Sequence, residues 1–163
     1  MPHSPERQTK IDRYGQAHAL LVAAVARYPR AMWPVRPAPD LWTIHEIVVH
    51  IADSEANSFI RLRRLIAEPG RTILGYDEDV WAKALDYHSQ SPEDAIELFR
   101  WLRHASYVLL LAQPVSVWAH TVTHSDSGLV TMDAWLDTYD RHVPDHIDQI
   151  NAVYQAWRAQ GGV

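Results

Sequence analysis

"RHVPDHIDQI" (Arg141–Ile150) sets His142 and His146 one helical turn apart and puts Pro144 between them. An i, i+4 histidine pair is half of a metal site built on a helix. An interior proline argues the other way, because it removes a backbone donor and crowds the carbonyl four residues back, at ~3 kcal/mol. The flanking pattern decides. Met132, Trp135, Leu136, Tyr139, Val143, Ile150, Val153, Tyr154 and Trp157 keep helical spacing on both sides of Pro144. A broken helix would lose that phase. The expectation is one helix, capped by Thr131, that continues through the proline with a kink between the histidines and leaves the Asp140 carbonyl free for water or a side chain. At ~100° per residue His146 lies ~20° and His142 ~60° from the centre of the apolar stripe, so both face the interior.

Working outward, three more long helices are predicted. Ser4-Pro5 opens the first, which runs to about Tyr28 with Ile11, Leu20, Leu21 and Val25 as its apolar residues. The proline-rich "PRAMWPVRPAPD" (29–40) is a stiff extended connection. Thr43-x-x-Glu46 is a capping box for the second helix, whose stripe is Ile44, Ile47, Val48, Ile51, Leu62, Leu65 and Ile66, ended by Pro69-Gly70. A short helix fits Asp77 to Leu85. Ser91-Pro92-Glu93-Asp94 starts the third long helix, and Pro114 ends it. Residues 115–130 form a long loop with room for a small hairpin, and no convincing strand pair organises the chain. The fold class is all-α: one domain over residues 1–163, an antiparallel four-helix bundle with a long loop before the fourth long helix.

Composition narrows the chemistry. The 163 residues carry a formal charge of −5, which disfavours nucleic acid as a partner. The basic "RLRRL" (61–65) lies in a helical pattern and reads as a solvated face. With no cysteine there is no disulfide, thiol nucleophile or thiolate ligand. The first ten residues lack an apolar signal-peptide core, and "ALLVAAVA" (19–26) is too short to span a bilayer, so no membrane partner and a cytoplasmic location are expected. Six glycines, and no P-loop or G-x-S-x-G, leave phosphate cradles and serine elbows unsupported.

Ten histidines are the unusual feature. "HEIVVH" (45–50) imitates the zinc-protease H-E-x-x-H but has one residue too many, so His45 and His50 point ~140° apart. No Glu-x-x-His occurs, which disfavours a di-iron carboxylate bundle. Two inward imidazoles need partners for their nitrogens, and a shared ion supplies one. A third ligand must come from elsewhere. His50, on the flank of the second helix, and His124, in the loop before the fourth long helix, are both candidates, and spacing alone does not choose.

"LWTIHEIVVHIADSE" (41–55) and "HSDSGLVTMDAWLDTYDRHVPDHIDQI" (124–150), at this separation, resemble the DinB-like superfamily and its YfiT-like metal-dependent hydrolases. The resemblance covers nearly the whole chain. It rests on W-[ST]-x-x-E-x-x-x-H and H-x-x-x-H-x-x-Q-I. It implies a four-helix bundle, often a homodimer, that binds a divalent metal through His50, His142 and His146, with His124 a neighbour of the site or a loop anchor. It also implies a small-molecule substrate and, in several members, a low-molecular-weight thiol as co-substrate. The expected activity is therefore a thiol-dependent S-transferase of small electrophiles in detoxification or stress response. The alternatives are a hydrolase using ion-bound water, or a non-enzymatic binding protein with a structural metal. Zinc or nickel is the expected ion, and iron or manganese also accept imidazole. Glu46 and Asp53, one turn either side of His50, are candidates to orient its ring. Glu46 has a rival duty in the capping box, and Asp53 points ~180° from the apolar stripe. Tyr139 is a candidate pocket residue, together with Trp42, Trp81 and Trp118. No residue stands out as a general base.

Overall fold

Each long helix begins where the sequence places its capping side chain. Ser4 accepts from the Arg7 amide, Thr43 from Glu46, Ser91 from Asp94 and Thr131 from Ala134. The Thr43 box closes reciprocally, because the Glu46 carboxylate accepts from the Thr43 amide at 2.8 Å. The computed structural model describes residues 3–39 and 41–162. The helices are α1 (Pro5–Val25), α2 (Ile44–Ala67), the short α3 (Glu78–Ala84), α4 (Pro92–Leu111) and α5 (Met132–Ala159). None of them is long and apolar enough to cross a membrane.

Helix α5 is unbroken through Pro144. Its expected stripe is inside: Met132, Trp135, Leu136, Tyr139, Val143, Ile150 and Val153 are buried, and Tyr154 and Trp157 pack at the edge. In α1 the buried face is Ile11, Tyr14, Ala17, Leu21, Ala24 and Val25. Leu20 is not on it. It lies ~100° round the helix from Leu21 and is 46% exposed, which corrects the sequence reading. The proline-rich connection is also less extended than expected, with a 3-10 turn at Arg30–Met32; its Asp40 lies outside the described residues.

The stretch before α5 is not an open loop. A 3-10 helix (Val115–Ala119) leads into β2 (Thr121–His124), which pairs antiparallel with β3 (Gly128–Thr131). Gly128, at φ 77°, takes a backbone conformation that side chains disfavour. The two-residue β1 (Thr72–Ile73) joins β2 in parallel. The hairpin is the small one for which the sequence leaves room, and β1 is a third strand that the sequence reading did not include. The hairpin follows from alternating β-branched residues, whereas β1 is too short to leave a periodic signal.

Side-chain pairs fix how the helices run. Arg7–Asp133, Lys10–Asp137 and Tyr28–Asn151 step the same way along α1 and α5, so these two are parallel. His45–Gln90 and Glu55–Arg103 do the same for α2 and α4. Contacts of α2 with α5 run oppositely, from His50–His146 to Arg61–Tyr139. The antiparallel bundle thus has two helices each way, ordered up-down-down-up along the chain. Because α2 and α4 are parallel, residues 68–91 must travel back the length of α2, and this return carries α3 across the bundle.

The core falls into two apolar clusters, one around Ile47, Ile51 and Ile147 and one around Trp135, Leu136 and Leu62. The charged side chains of Glu55 and Arg103 are fully buried with them. The Arg103 guanidinium donates to Glu55 at 2.6 Å and to the carbonyls of Tyr14 (3.3 Å) and Tyr139 (3.2 Å), and the Tyr14 hydroxyl donates to Glu55 at 2.7 Å. Arg103 therefore grips the α5 backbone just before the proline.

Candidate metal centre

Helices α2 and α5 bring His50, His142 and His146 together. One nitrogen from each lies within 4.8 Å of the other two. The Nε2 atoms of His142 and His146 are 3.1 Å apart. Metal–imidazole bonds of ~2.0–2.1 Å put tetrahedral donors ~3.4 Å from one another, so this spacing fits one shared ion. His50 is 1% exposed, yet neither ring nitrogen has a hydrogen-bond partner among the described residues. A buried imidazole with two idle nitrogens is costly unless something else binds it. The donor set therefore fits a divalent ion.

The protonation states agree. Burial, reinforced by His146, lowers the His50 pKa from 6.5 to about 3. Burial also lowers His142, with His146, His50 and Arg103 acting in the same direction, and it lowers His146. All three are neutral near pH 7, which is the form that binds metal. Gln149 selects the tautomer of His146. Its Oε1 accepts from Nδ1 at 2.7 Å, so the proton rests on Nδ1 and the Nε2 lone pair faces His142.

The surroundings come from α3 and the turn before α2. The Trp42 ring meets His50 edge-on at 5.0 Å, and its Nε1 donates to Asp79 of α3 at 2.9 Å. A cleft of about 210 Å³ opens beside the histidines, lined by Leu41, Trp42, Glu78, Asp79, His146 and Gln149. Glu78 Oε2 is 3.6 Å from His50 Nε2. Burial, with Asp79 and Asp77 beside it, raises the Glu78 pKa above the usual carboxylate value.

Other candidates are placed differently. Glu46 is held by the capping box and by Arg36, so it does not orient His50. Asp53 accepts from the Tyr87 hydroxyl at 2.6 Å, which ties α2 to the segment before α4 and leaves no contact with the site. His124 accepts from the Asp126 amide at 3.2 Å within the hairpin turn and is a loop anchor. Tyr139 walls the site, with its ring 6.0 Å from His142 and its hydroxyl accepting from Arg61 at 3.0 Å. Arg61 also donates to the Leu74 carbonyl and Arg64 to that of Thr72, so "RLRRL" ties α2 to the return segment instead of being only solvated. The false zinc signature dissolves, because the His45 ring bonds the Gln90 carbonyl away from the centre.

Two site residues escaped the sequence reading. Gln149 lies inside the opening motif, and its i, i+3 spacing from His146 was the available signal. Glu78 had none, because only the return crossing brings it to His50.

Comparison with known proteins agrees with this architecture. The DinB superfamily model matches residues 13–150. A protein of Oceanobacillus iheyensis named "Putative metal-dependent hydrolase" is 30% identical over 112 residues, which are 69% of this chain and 64% of that protein. Bacillus subtilis YfiT, which bears the same designation, is 29% identical over 110 residues, 67% of this chain and 62% of its own length. The matched region thus spans less than two thirds of either relative. The solved structure of YfiT, described as having "an unusual four-helix bundle topology", superposes with a TM-score of 0.85 at 24% identity, covering 99% of this chain and 92% of that one. That likeness establishes the fold. With the family model spanning most of its length, the chain belongs to the DinB superfamily.

Proposed function

We propose that this protein is a metal-dependent enzyme acting on a small molecule, with His50, His142 and His146 holding one divalent ion. The observation that carries this reading is the convergence of three neutral imidazoles, one of them buried with both nitrogens unpartnered. A divalent ion in such a site supplies Lewis acidity, lowering the pKa of bound water or stabilising a thiolate. The protein's own groups do the rest. Gln149 holds the proton of His146 on Nδ1, so that Nε2 stays a donor to metal. Leu41 and Trp42 wall the approach, and Glu78 and Asp79 make that approach acidic. An all-imidazole set suits zinc or nickel.

Hydrolysis is the reading we favour. It fits the designation of the relatives, and Glu78 places a carboxylate beside His50. Transfer of a small thiol to an electrophile is the second reading. The thiol would come from solution, since the chain has no cysteine of its own. One experiment separates them. Metal-loaded protein is assayed on ester, amide and phosphoester panels, and on a chromogenic electrophile, with and without small thiols. The hydrolase reading expects turnover without thiol that the His142→Ala variant loses. A strict thiol requirement selects transfer. No difference from His142→Ala on any substrate overturns both.

A further inference from the structure

Three neutral imidazoles leave a divalent ion's charge uncompensated within the protein. The return segment supplies an answer. Helix α3 begins with Asp77, Glu78 and Asp79, and two of these carboxylates are already engaged. Asp77 caps the helix through the Val80 amide at 3.0 Å, and Asp79 accepts from Trp42 at 2.9 Å. Glu78 has no hydrogen-bond donor or basic side chain against it among the described residues. Its Oε2 lies 3.6 Å from the idle Nε2 of His50. That is too long for a hydrogen bond, and an imidazole that is neutral makes no ion pair. The distance does match the ~3.4 Å between two donors on one tetrahedral ion.

Two independent features thus meet at one point: a carboxylate without a counter-charge, and a buried imidazole without a partner. Glu78 lines the cleft together with His146 and Gln149. Helix α3 buries none of its own residues and is latched by Trp42–Asp79 and by the packing of Tyr76 on Trp81, with ring centroids 4.5 Å apart. The Trp42–Asp79 bond ties it to a wall of the site. We infer that Glu78 is the anionic member of this centre, a fourth protein group that contacts the ion held by His50, His142 and His146. The inference rests on the metal-site reading above and adds to it a carboxylate delivered by the crossover segment.

Affinity and spectroscopy test this without any assay of turnover. Zinc affinity is measured by chelator competition, and the visible absorption of the cobalt-substituted protein is recorded, for wild type, Glu78→Gln, Glu78→Asp, Glu97→Gln and His142→Ala. The expected result is a 10- to 100-fold loss of zinc affinity in Glu78→Gln, the range found when groups supporting a metal site are removed. Its cobalt spectrum should shift in band position or intensity, with partial recovery in Glu78→Asp. Glu97→Gln, which removes an exposed carboxylate on α4 paired with Arg100, should leave the spectrum unchanged. Metal-free melts of Glu78→Gln and wild type should coincide, because the side chain is 61% exposed. If Glu78→Gln binds zinc within twofold of wild type with an unaltered cobalt spectrum while His142→Ala loses binding, the role of Glu78 is overturned and the three-histidine site stands. If His142→Ala also binds normally, the metal-site reading itself fails.

Discussion

The Nε2 atoms of His142 and His146 face each other at 3.1 Å across the turn that contains Pro144. With the His146 proton on Nδ1, its Nε2 lone pair points at His142, and a proton on His142 or a metal ion is its partner. Removing metal should therefore be visible in stability as well as in binding. Metal at ~100 times its dissociation constant stabilises the native state by ~2.7 kcal/mol. Calorimetric melts with zinc and with chelator should differ by several degrees in wild type. In His142→Ala and His146→Ala the difference should vanish.

Gln149 should matter for metal and little for folding. It is half-buried and holds the Nδ1 proton of His146. Gln149→Leu frees that ring to rotate or change tautomer, and zinc affinity should drop 10- to 100-fold. The metal-free melting temperature should move by no more than a few degrees. An unchanged affinity, measured by competition with a chromogenic chelator, would remove Gln149 from the site.

Acid should destabilise the metal-free protein through the same histidines. Burial, with His146 beside it, lowers the His50 pKa from 6.5 to about 3 in the folded chain. His142 and His146 are shifted in the same direction. Because the folded values are depressed, the unfolded state takes up protons first. Their contribution is fully present above pH 6.5 and is lost as pH falls from there toward 3. Urea midpoints measured between pH 8 and pH 4 should decline across that window, and less steeply for His50→Leu.

Buried Arg103 and Glu55 should behave as a coupled pair. Both are about fully buried, and each satisfies the other. Arg103→Met leaves an unpaired carboxyl and releases the Tyr139 carbonyl, so a loss of ~3–5 kcal/mol is expected from urea denaturation. The double variant Glu55→Leu/Arg103→Met should recover much of that loss. Equal and additive losses would show that the two act independently.

Pro144 should lower stability in exchange for geometry. Pro144→Ala restores the missing donor to the Asp140 carbonyl and should raise stability, by at most ~3 kcal/mol. If the proline sets how the two imidazoles converge, zinc affinity should fall in the same variant. Higher stability with unaltered affinity would assign the proline no part in the site.

The legible part of this protein was its local physics. Ser4, Thr43, Ser91 and Thr131 mark helix starts because capping is a contact between residues three apart. The α5 stripe and the inward pair His142–His146 are readable because a helix repeats every 3.6 residues, and the phase survives a proline. The choice between His50 and His124 could not be read from spacing, and it required the family resemblance. In the folded chain it follows from register. His50 meets α5 because α2 runs antiparallel to it, whereas His124 is spent on its own hairpin turn. Asp53 and Glu46 looked like partners of His50 by spacing, yet each found a better one in Tyr87 and in the Thr43 cap. The up-down-down-up order, and with it the passage of Glu78 over His50, depends on which helices pack side by side. No periodic pattern within one helix encodes that, because the choice is made by the summed burial of faces far apart in the chain.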